Sequence, residues 1–283
     1  SALYDEFCRF LADHGFVAAI FDNLGHGRSV SAGGDFGYFF QGGLDNVIKD
    51  SKKIHDILQE NFPNVPYFVM GHSMGSFLVR DYITKYGDEL AGAVLMGTSA
   101  GLKPHMWAIQ KNVLRAAIRQ KGPRGKSKTI SDMATGPYNK HFPNPRTPND
   151  WVSSDEAEVD KYTNDPMCGF PLTLSGYMDL GLLLNRVNGK EWYLHVPKKL
   201  PILVTSGDND PVGEMGKGVR RIVANLVKTE HDCEMILYPG VRHALLTEVN
   251  KNQVFTDILS FLTYKCARMT SAACPAPPIS TKS

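Results

Sequence analysis

Phe68-Val69-Met70-Gly71-His72-Ser73-Met74-Gly75-Ser76 is the segment from which the architecture of this chain can be read. Tyr67 to Met70 is a short apolar run of the kind a buried parallel strand carries. Gly-x-Ser-x-Gly follows, and Ser76 to Tyr86 then places Phe77, Leu78, Tyr82 and Ile83 at helical spacing ahead of Gly87. Strand, Gly-x-Ser-x-Gly and helix in that order make a nucleophile elbow, a tight turn that exposes a serine hydroxyl above the end of a sheet. The turn holds the serine backbone under strain, and side chains at Gly71 or Gly75 are expected to collide with the neighbouring strand and helix. Gly-x-Ser-x-Gly alone describes a glycine-rich turn equally well. The strand before it and the helix after it make Ser73 the candidate nucleophile.

Working outward, residues 3 to 14 read as an amphipathic helix with Leu3, Phe7, Phe10 and Leu11 on one face and a stop at Gly15. Phe16 to Phe21 reads as an apolar strand, followed by the loop Asn23-Leu24-Gly25-His26-Gly27-Arg28-Ser29, which has neither glycine frame of a phosphate-binding loop. Ser31 to Gly43 is rich in glycine and aromatic residues and reads as a surface excursion. Leu44, Val47, Ile48, Ile54 and Leu58 mark a helix, and Ala91 to Met96 a buried strand. Helix and strand alternate, which predicts a parallel sheet with helices on both faces. From 97 to 200 that alternation stops, and helical segments are expected at 105–119, 156–162 and 172–184. This block reads as a helical cap inserted into a core of residues 1–96 and 201–265. The sheet pattern resumes with strands at 202–206 and 234–238, a helix at 215–228, and a closing helix marked by Val254, Ile258 and Phe261. Residues 266–283 are expected to be a disordered tail.

The totals narrow the class. The 283 residues suffice for one large α/β domain carrying an insertion. Thirty-one basic against 29 acidic residues leave a net charge of +2, which argues against nucleic acid as the partner. No apolar run approaches the roughly 20 residues that span a bilayer. The five cysteines (Cys8, Cys168, Cys233, Cys266 and Cys274) form no Cys-x-x-Cys pair, so neither a disulfide framework nor a zinc site is indicated, and a reduced, cytoplasmic setting is expected.

Parallel sheets bind ligands outside the carboxyl ends of their strands, and three loops at such ends carry suitable chemistry. One holds Ser73, one Asp210 and one His243. Serine, then acid, then histidine is the chain order of the α/β-hydrolase triad. His243 would take the serine proton, and Asp210 would set its tautomer. Asp208 competes for the acid role. Asp210 is preferred because Pro211 restrains its backbone, which leaves Asp208 as a loop-capping residue. His72 reads as a packing residue, His26 as structural, and Cys168 as structural. The backbone amide of Met74 would supply one oxyanion donor. The second should come from a strand ending in His-Gly, and no such strand is found.

Four motifs now carry a resemblance: DNLGHGRS at Asp22–Ser29, GHSMGS at Gly71–Ser76, GDNDPV at Gly207–Val212 and YPGVRH at Tyr238–His243. Together they resemble the monoacylglycerol lipase and lysophospholipase group of α/β-hydrolases over roughly residues 2 to 265. DPMCGF at Asp165–Phe170 is similar to a bacterial branch of that group. The resemblance implies a serine carboxylic-ester hydrolase for monoacyl esters with triad Ser73, Asp210 and His243, a cap over the acyl site, and no cofactor or metal. The partner implied is a small acyl ester, with transient contact between cap and lipid surface as a further expectation. Members of this group carry strands ahead of the position of Ser1, one of them between the Phe16 strand and the elbow strand. A chain lacking them is expected to fold poorly and react weakly. Two alternatives compete: an aminopeptidase-type peptidase using Asp155, Glu156 and Glu158 for a substrate amine, and a non-catalytic remnant. A haloalkane dehalogenase would want Asp in place of Ser73. Met106, Trp107, Ile109 and Val113 are read mostly as packing between cap and sheet, or else as the lining of an acyl tunnel.

Overall fold

A computed structural model describes residues 2–30 and 34–272. Helix α1 (Asp5–Asp13) follows a short 3-10 turn and buries Phe7 and Leu11, one turn apart on a single face. It ends at Gly15, whose φ of +84° is the left-handed conformation that glycine adopts without cost. Helix α2 (Leu44–Asn61) leads to strand β1 (Phe68–His72), helix α3 (Met74–Tyr86) and strand β2 (Gly92–Met96). Five helices come next: α4 (Pro104–Lys121), α5 (Lys128–Thr135), α6 (Glu156–Asn164), α7 (Leu174–Val187) and α8 (Lys190–His195). Strand β3 (Ile202–Gly207), helix α9 (Lys217–Lys228), strand β4 (Cys233–Tyr238) and helix α10 (Lys251–Ala272) close the chain.

The four strands form one parallel sheet in the order β1-β2-β3-β4. Side chains alternate between its faces, as the two-residue period of a strand requires. Val94, Met96 and Leu203 pack with Phe7 of α1 and with Val254, Phe255 and Ile258 of α10. Ala93, Leu95, Ile202 and Val204 point the other way, toward Val47 and Ile48 of α2, Phe77 of α3 and Ile222 of α9. Helices on both faces explain why these strands read as unbroken apolar runs.

Residues 16–21 depart from the sequence expectation. They are not a strand, and Val17, Ile20 and Phe21 are 60%, 42% and 40% exposed. Phe16 and Ala18 pack into the same cluster as Phe68 and Met70, so the alternation of a strand is present over 16–19, without its ladder, and ends at exposed Ile20. A strand needs a partner for its backbone groups, and β1, the outer strand on its side, pairs only with β2 among the described residues. Two boundaries also move. Helix α9 begins at Lys217 rather than 215, because Glu214, Met215 and Gly216 all have positive φ. Helix α10 continues past 266 to Ala272, and Lys265 near its end is held by Asp232 and Glu234. The remainder of the expected tail, 273–283, lies outside the described residues. Helices α5 and α8 were not anticipated; at eight and six residues they are too short for a clear apolar period.

The helices between β2 and β3 are tied to the sheet layer through α3 and α2. Arg80 of α3, fully buried, donates to the Val187 carbonyl at 2.5 Å and to Asn188 Oδ1 at 3.1 Å, at the end of α7. Its guanidinium lies over the Trp192 ring, 4.4 Å from the centroid. Midway along α7, Asp179 abuts Gly43, the residue before α2, where a Cβ would fall 2.7 Å from its carboxylate. Burial, with repulsion from Asp45, raises the Asp179 carboxyl to about 6. An acid with a raised folded pKa penalises the native state above that pKa and not below the unfolded value of about 4. Asp179→Asn should therefore raise Tm at pH 7, and the gain over wild type should vanish as pH falls from 6 to 4. A gain independent of pH would rule this out.

Candidate active site

Ser73 sits between β1 and α3 with φ +53° and ψ −121°, a left-handed backbone that non-glycine residues seldom adopt. Strain of this kind persists only where the surroundings over-determine it. Here the Ser73 amide donates to the Met96 carbonyl at 3.0 Å, and the Ser73 carbonyl accepts from the Ser76 amide at 2.8 Å and the Ser76 hydroxyl at 2.6 Å. A Cβ at Gly71 would collide with the Gly75 carbonyl, as expected. At Gly75 the expectation fails. Nothing described lies within 4 Å of its Cβ position, since β1 is the sheet's outer strand. Met74 is the first residue of α3, whose leading amides have no intrahelical acceptor and point outward with the positive end of the helix dipole.

Asp210 and His243 stand together. His243 Nδ1 lies 3.0 Å from Asp210 Oδ2 and 3.1 Å from Oδ1, and both residues are buried. Asp210 also accepts from the Ser206 hydroxyl at 2.9 Å and the Val212 amide at 2.9 Å. Burial pushes its carboxyl upward, but the imidazole and these two donors outweigh burial and hold it below the usual carboxylate range. An ionised carboxylate only accepts, so His243 carries its proton on Nδ1 and presents Nε2 as a base. Asp208, in the loop of Asp210, ties that loop to the one carrying His243, accepting from the Gly240 amide at 2.7 Å. Among the described residues the Ser73 hydroxyl makes no hydrogen bond to His243. Proximity comes instead through the backbone, because Gly97 follows the acceptor Met96 and a Cβ on it would fall 3.1 Å from the His243 ring.

Several neighbours of this pair were not singled out in the sequence. Trp151 packs its ring 5.1 Å from that of His243, and Tyr138 packs behind it at 4.9 Å, tilted. The segment holding Trp151 is stitched to the His243 loop. Ala244 donates its amide to the Val152 carbonyl at 2.7 Å, and Arg242 donates to the carbonyls of Asp150 and Ser153. Buried Glu248 accepts from the amides of Ser154 and Arg242, both at 2.9 Å. Trp151 and His243 are 92 residues apart, and no spacing rule connects them. His72 is more than packing: its Nδ1 lies 3.0 Å from the Tyr4 hydroxyl and its Nε2 2.9 Å from the His243 carbonyl. Burial, then the nearby His243, lowers His72 to about 3.

The other candidates take quieter roles. His26 stacks on Phe39 and leans on Phe170, with its basicity lowered by burial. Burial raises the Cys168 thiol to about 11, which leaves little thiolate. Asp155 caps α6, Glu158 pairs with Lys161, and Glu156 with Arg146. Trp107 packs inward, but Met106, Ile109 and Val113 are 47%, 58% and 41% exposed, so the expectation of core packing fails for those three. They share one stripe of α4, while Trp107 and Leu114 on a different face of the helix are buried in its packing. No group of His, Cys, Asp and Glu that could hold a metal occurs among the described residues. A cavity of about 290 Å³ between Phe21–Leu24 and α2 is lined by none of Ser73, Asp210 and His243.

The family of hydrolases described as serine aminopeptidase, S33, matches residues 1–250. The chain belongs to that family. Its relatives include human monoglyceride lipase, 26% identical over 282 residues, covering 97% of this chain and 82% of the relative. The monoacylglycerol lipase of Mycolicibacterium smegmatis is 25% identical over 257 residues, covering 88% and 78%. A crystal structure of a highly thermostable carboxyl esterase from Bacillus coagulans, in complex with glycerol, superposes with a TM-score of 0.87 at 32% identity, over 94% of this chain and 86% of that one. The fold of this S33 member is therefore that of the α/β-hydrolases, with the parallel sheet and flanking helices expected from its sequence.

Proposed function

We propose that this carboxylic-ester hydrolase acts on monoacylglycerols, lysophospholipids or similar monoacyl esters through an acyl-enzyme on Ser73. The observation that carries the reading is the buried Asp210–His243 pair set beside a serine held at φ +53°. His243 Nε2 takes the proton as Ser73 Oγ attacks the ester carbonyl, and Asp210 stabilises the imidazolium. The Met74 amide, at the positive end of α3, faces the negative charge that develops on the carbonyl oxygen. Collapse passes the His243 proton to the leaving alcohol, and water then repeats the sequence in reverse on the acyl-enzyme.

Three observations support a lipid-like substrate. Relatives of 25–26% identity are named as monoglyceride and monoacylglycerol lipases. The segment from 97 to 200 serves as the cap, and Trp151, in the turn ahead of α6, covers His243. The exposed Met106, Ile109 and Val113 offer an apolar stripe for an acyl chain or for passing contact with a lipid surface. The family's descriptive name keeps a peptidase reading in play. Against it, the acids that would bind a substrate amine are engaged in a helix cap and in ion pairs. A series of p-nitrophenyl esters of increasing acyl length, compared with an aminoacyl anilide, tests the choice. Ester turnover should rise with acyl length and exceed anilide turnover at every length. Faster anilide cleavage would replace this reading with the peptidase.

A further inference from the structure

We infer that His72 is a positioning residue, a hydrogen-bonded strut that sets the spacing between nucleophile and base, and that Tyr4 fixes the strut's polarity. This rests on the roles proposed for Ser73 and His243. His72 is the last residue of β1 and immediately precedes Ser73. Its ring lies 4.7 Å from that of His243, and its Nε2 is 2.9 Å from the His243 carbonyl oxygen. A carbonyl only accepts, so Nε2 carries the hydrogen. In a neutral imidazole Nδ1 is then a lone pair, and the Tyr4 hydroxyl 3.0 Å away must donate to it. The direction of both bonds is thereby determined: Tyr4 donates to His72, and His72 donates to the backbone of His243.

The strut joins elements that are otherwise far apart in the sheet. Ser73 follows β1 and His243 follows β4, with two strands between them. A rigid ring from residue 72 to the backbone of residue 243 crosses that gap directly. Gly97, at φ +57°, makes room for it, since a Cβ there would fall 3.1 Å from the His243 ring and 3.2 Å from His72 Nε2. The Tyr4 bond also keeps His72 neutral, because an imidazolium has no lone pair to offer the hydroxyl. A charged His72 would stand 4.7 Å from a ring that must itself become positive during turnover. Tyr4 is in turn held edge-on to His72, with ring centroids 6.1 Å apart.

Three variants test the strut: His72→Phe, His72→Gln and Tyr4→Phe. Each is read by kcat and KM on p-nitrophenyl butyrate, and by the downfield proton resonance of His243 Nδ1–H in the substrate-free protein. His72→Phe should lower kcat by about 10- to 100-fold, the effect of losing a buried hydrogen bond, with KM changed by less than about twofold, and it should shift or broaden the resonance. His72→Gln offers an amide donor at a similar reach and an oxygen to accept from Tyr4, so most of kcat and the resonance should return. Tyr4→Phe should give a smaller loss in the same direction. Equal loss in the Phe and Gln variants would overturn the strut in favour of ring volume. A Tyr4→Phe protein with full kcat and an unmoved resonance would overturn it even if His72→Phe fails to fold. If the wild-type protein turns over no ester, the functional reading fails separately. The resonance then decides the strut alone: unmoved in His72→Phe, it is overturned.

Discussion

Ser73→Ala is expected to lower kcat for ester hydrolysis by about 10⁴- to 10⁶-fold, the scale on which removal of an activated serine acts in serine hydrolases. It should also abolish labelling by a fluorophosphonate probe. The structure makes this an unusually clean substitution. Alanine keeps a Cβ, so the backbone at φ +53° is no less strained than before, and the Ser73 amide and carbonyl bonds to Met96 and Ser76 do not involve the hydroxyl. Stability should hardly move. Ser73→Gly should lose turnover equally while gaining roughly 1 kcal/mol of stability, because glycine adopts this conformation freely. Melting curves and ester kinetics on the same preparations separate the two effects. Residual turnover within tenfold of wild type in Ser73→Ala would remove Ser73 from the nucleophile's role.

Gly207→Ala is expected to damage stability and turnover together. Gly207 ends β3, and a Cβ on it would collide with the carbonyls of Val241 and Arg242, which are backbone atoms of the His243 loop. Backbone cannot rotate aside as a long side chain can, so one loop must shift. Those loops are closely joined: the Asn209 amide donates to the Val241 carbonyl at 3.0 Å, and the Gly240 amide to Asp208 Oδ1 at 2.7 Å. Overpacking of this kind costs about 1–3 kcal/mol. Because the displaced loop carries His243, the 3.0 Å contact with Asp210 should lengthen and kcat should fall with Tm. Thermal melts and ester kinetics would reveal it. A variant with unchanged Tm and kcat would mean that the loops separate without consequence for the pair.

Much of the fold was legible because its strands are buried on both faces. Val94, Leu95, Leu203 and Val204 had to be apolar in succession, which marks a parallel sheet before any contact is known. The adjacency of Asp210 and His243 was legible for a related reason, since parallel strands bring all their carboxyl-end loops to one edge. The strand expected at Phe16 to Phe21 was not realised, because alternation identifies a candidate strand but only a neighbour makes it one. Gly75 misled similarly: its clash depends on what stands across from it, and nothing described does.

By itself the sequence determined the parallel sheet, the elbow at Ser73 and the order of serine, acid and histidine, because these follow from local periodicity and from chain order. Only the tertiary structure decided what surrounds them. The Tyr4–His72 strut, the Trp151 cover and the Ser154–Glu248 stitching join residues 68, 92 and 94 positions apart through single hydrogen bonds and ring contacts. Such contacts leave no period in a sequence, since any distant segment can supply the partner once folding has brought it near. The elbow can thus be recognised from nine residues, while the spacing between its serine and the base is set by a contact that runs from Tyr4 through His72 to the backbone of His243.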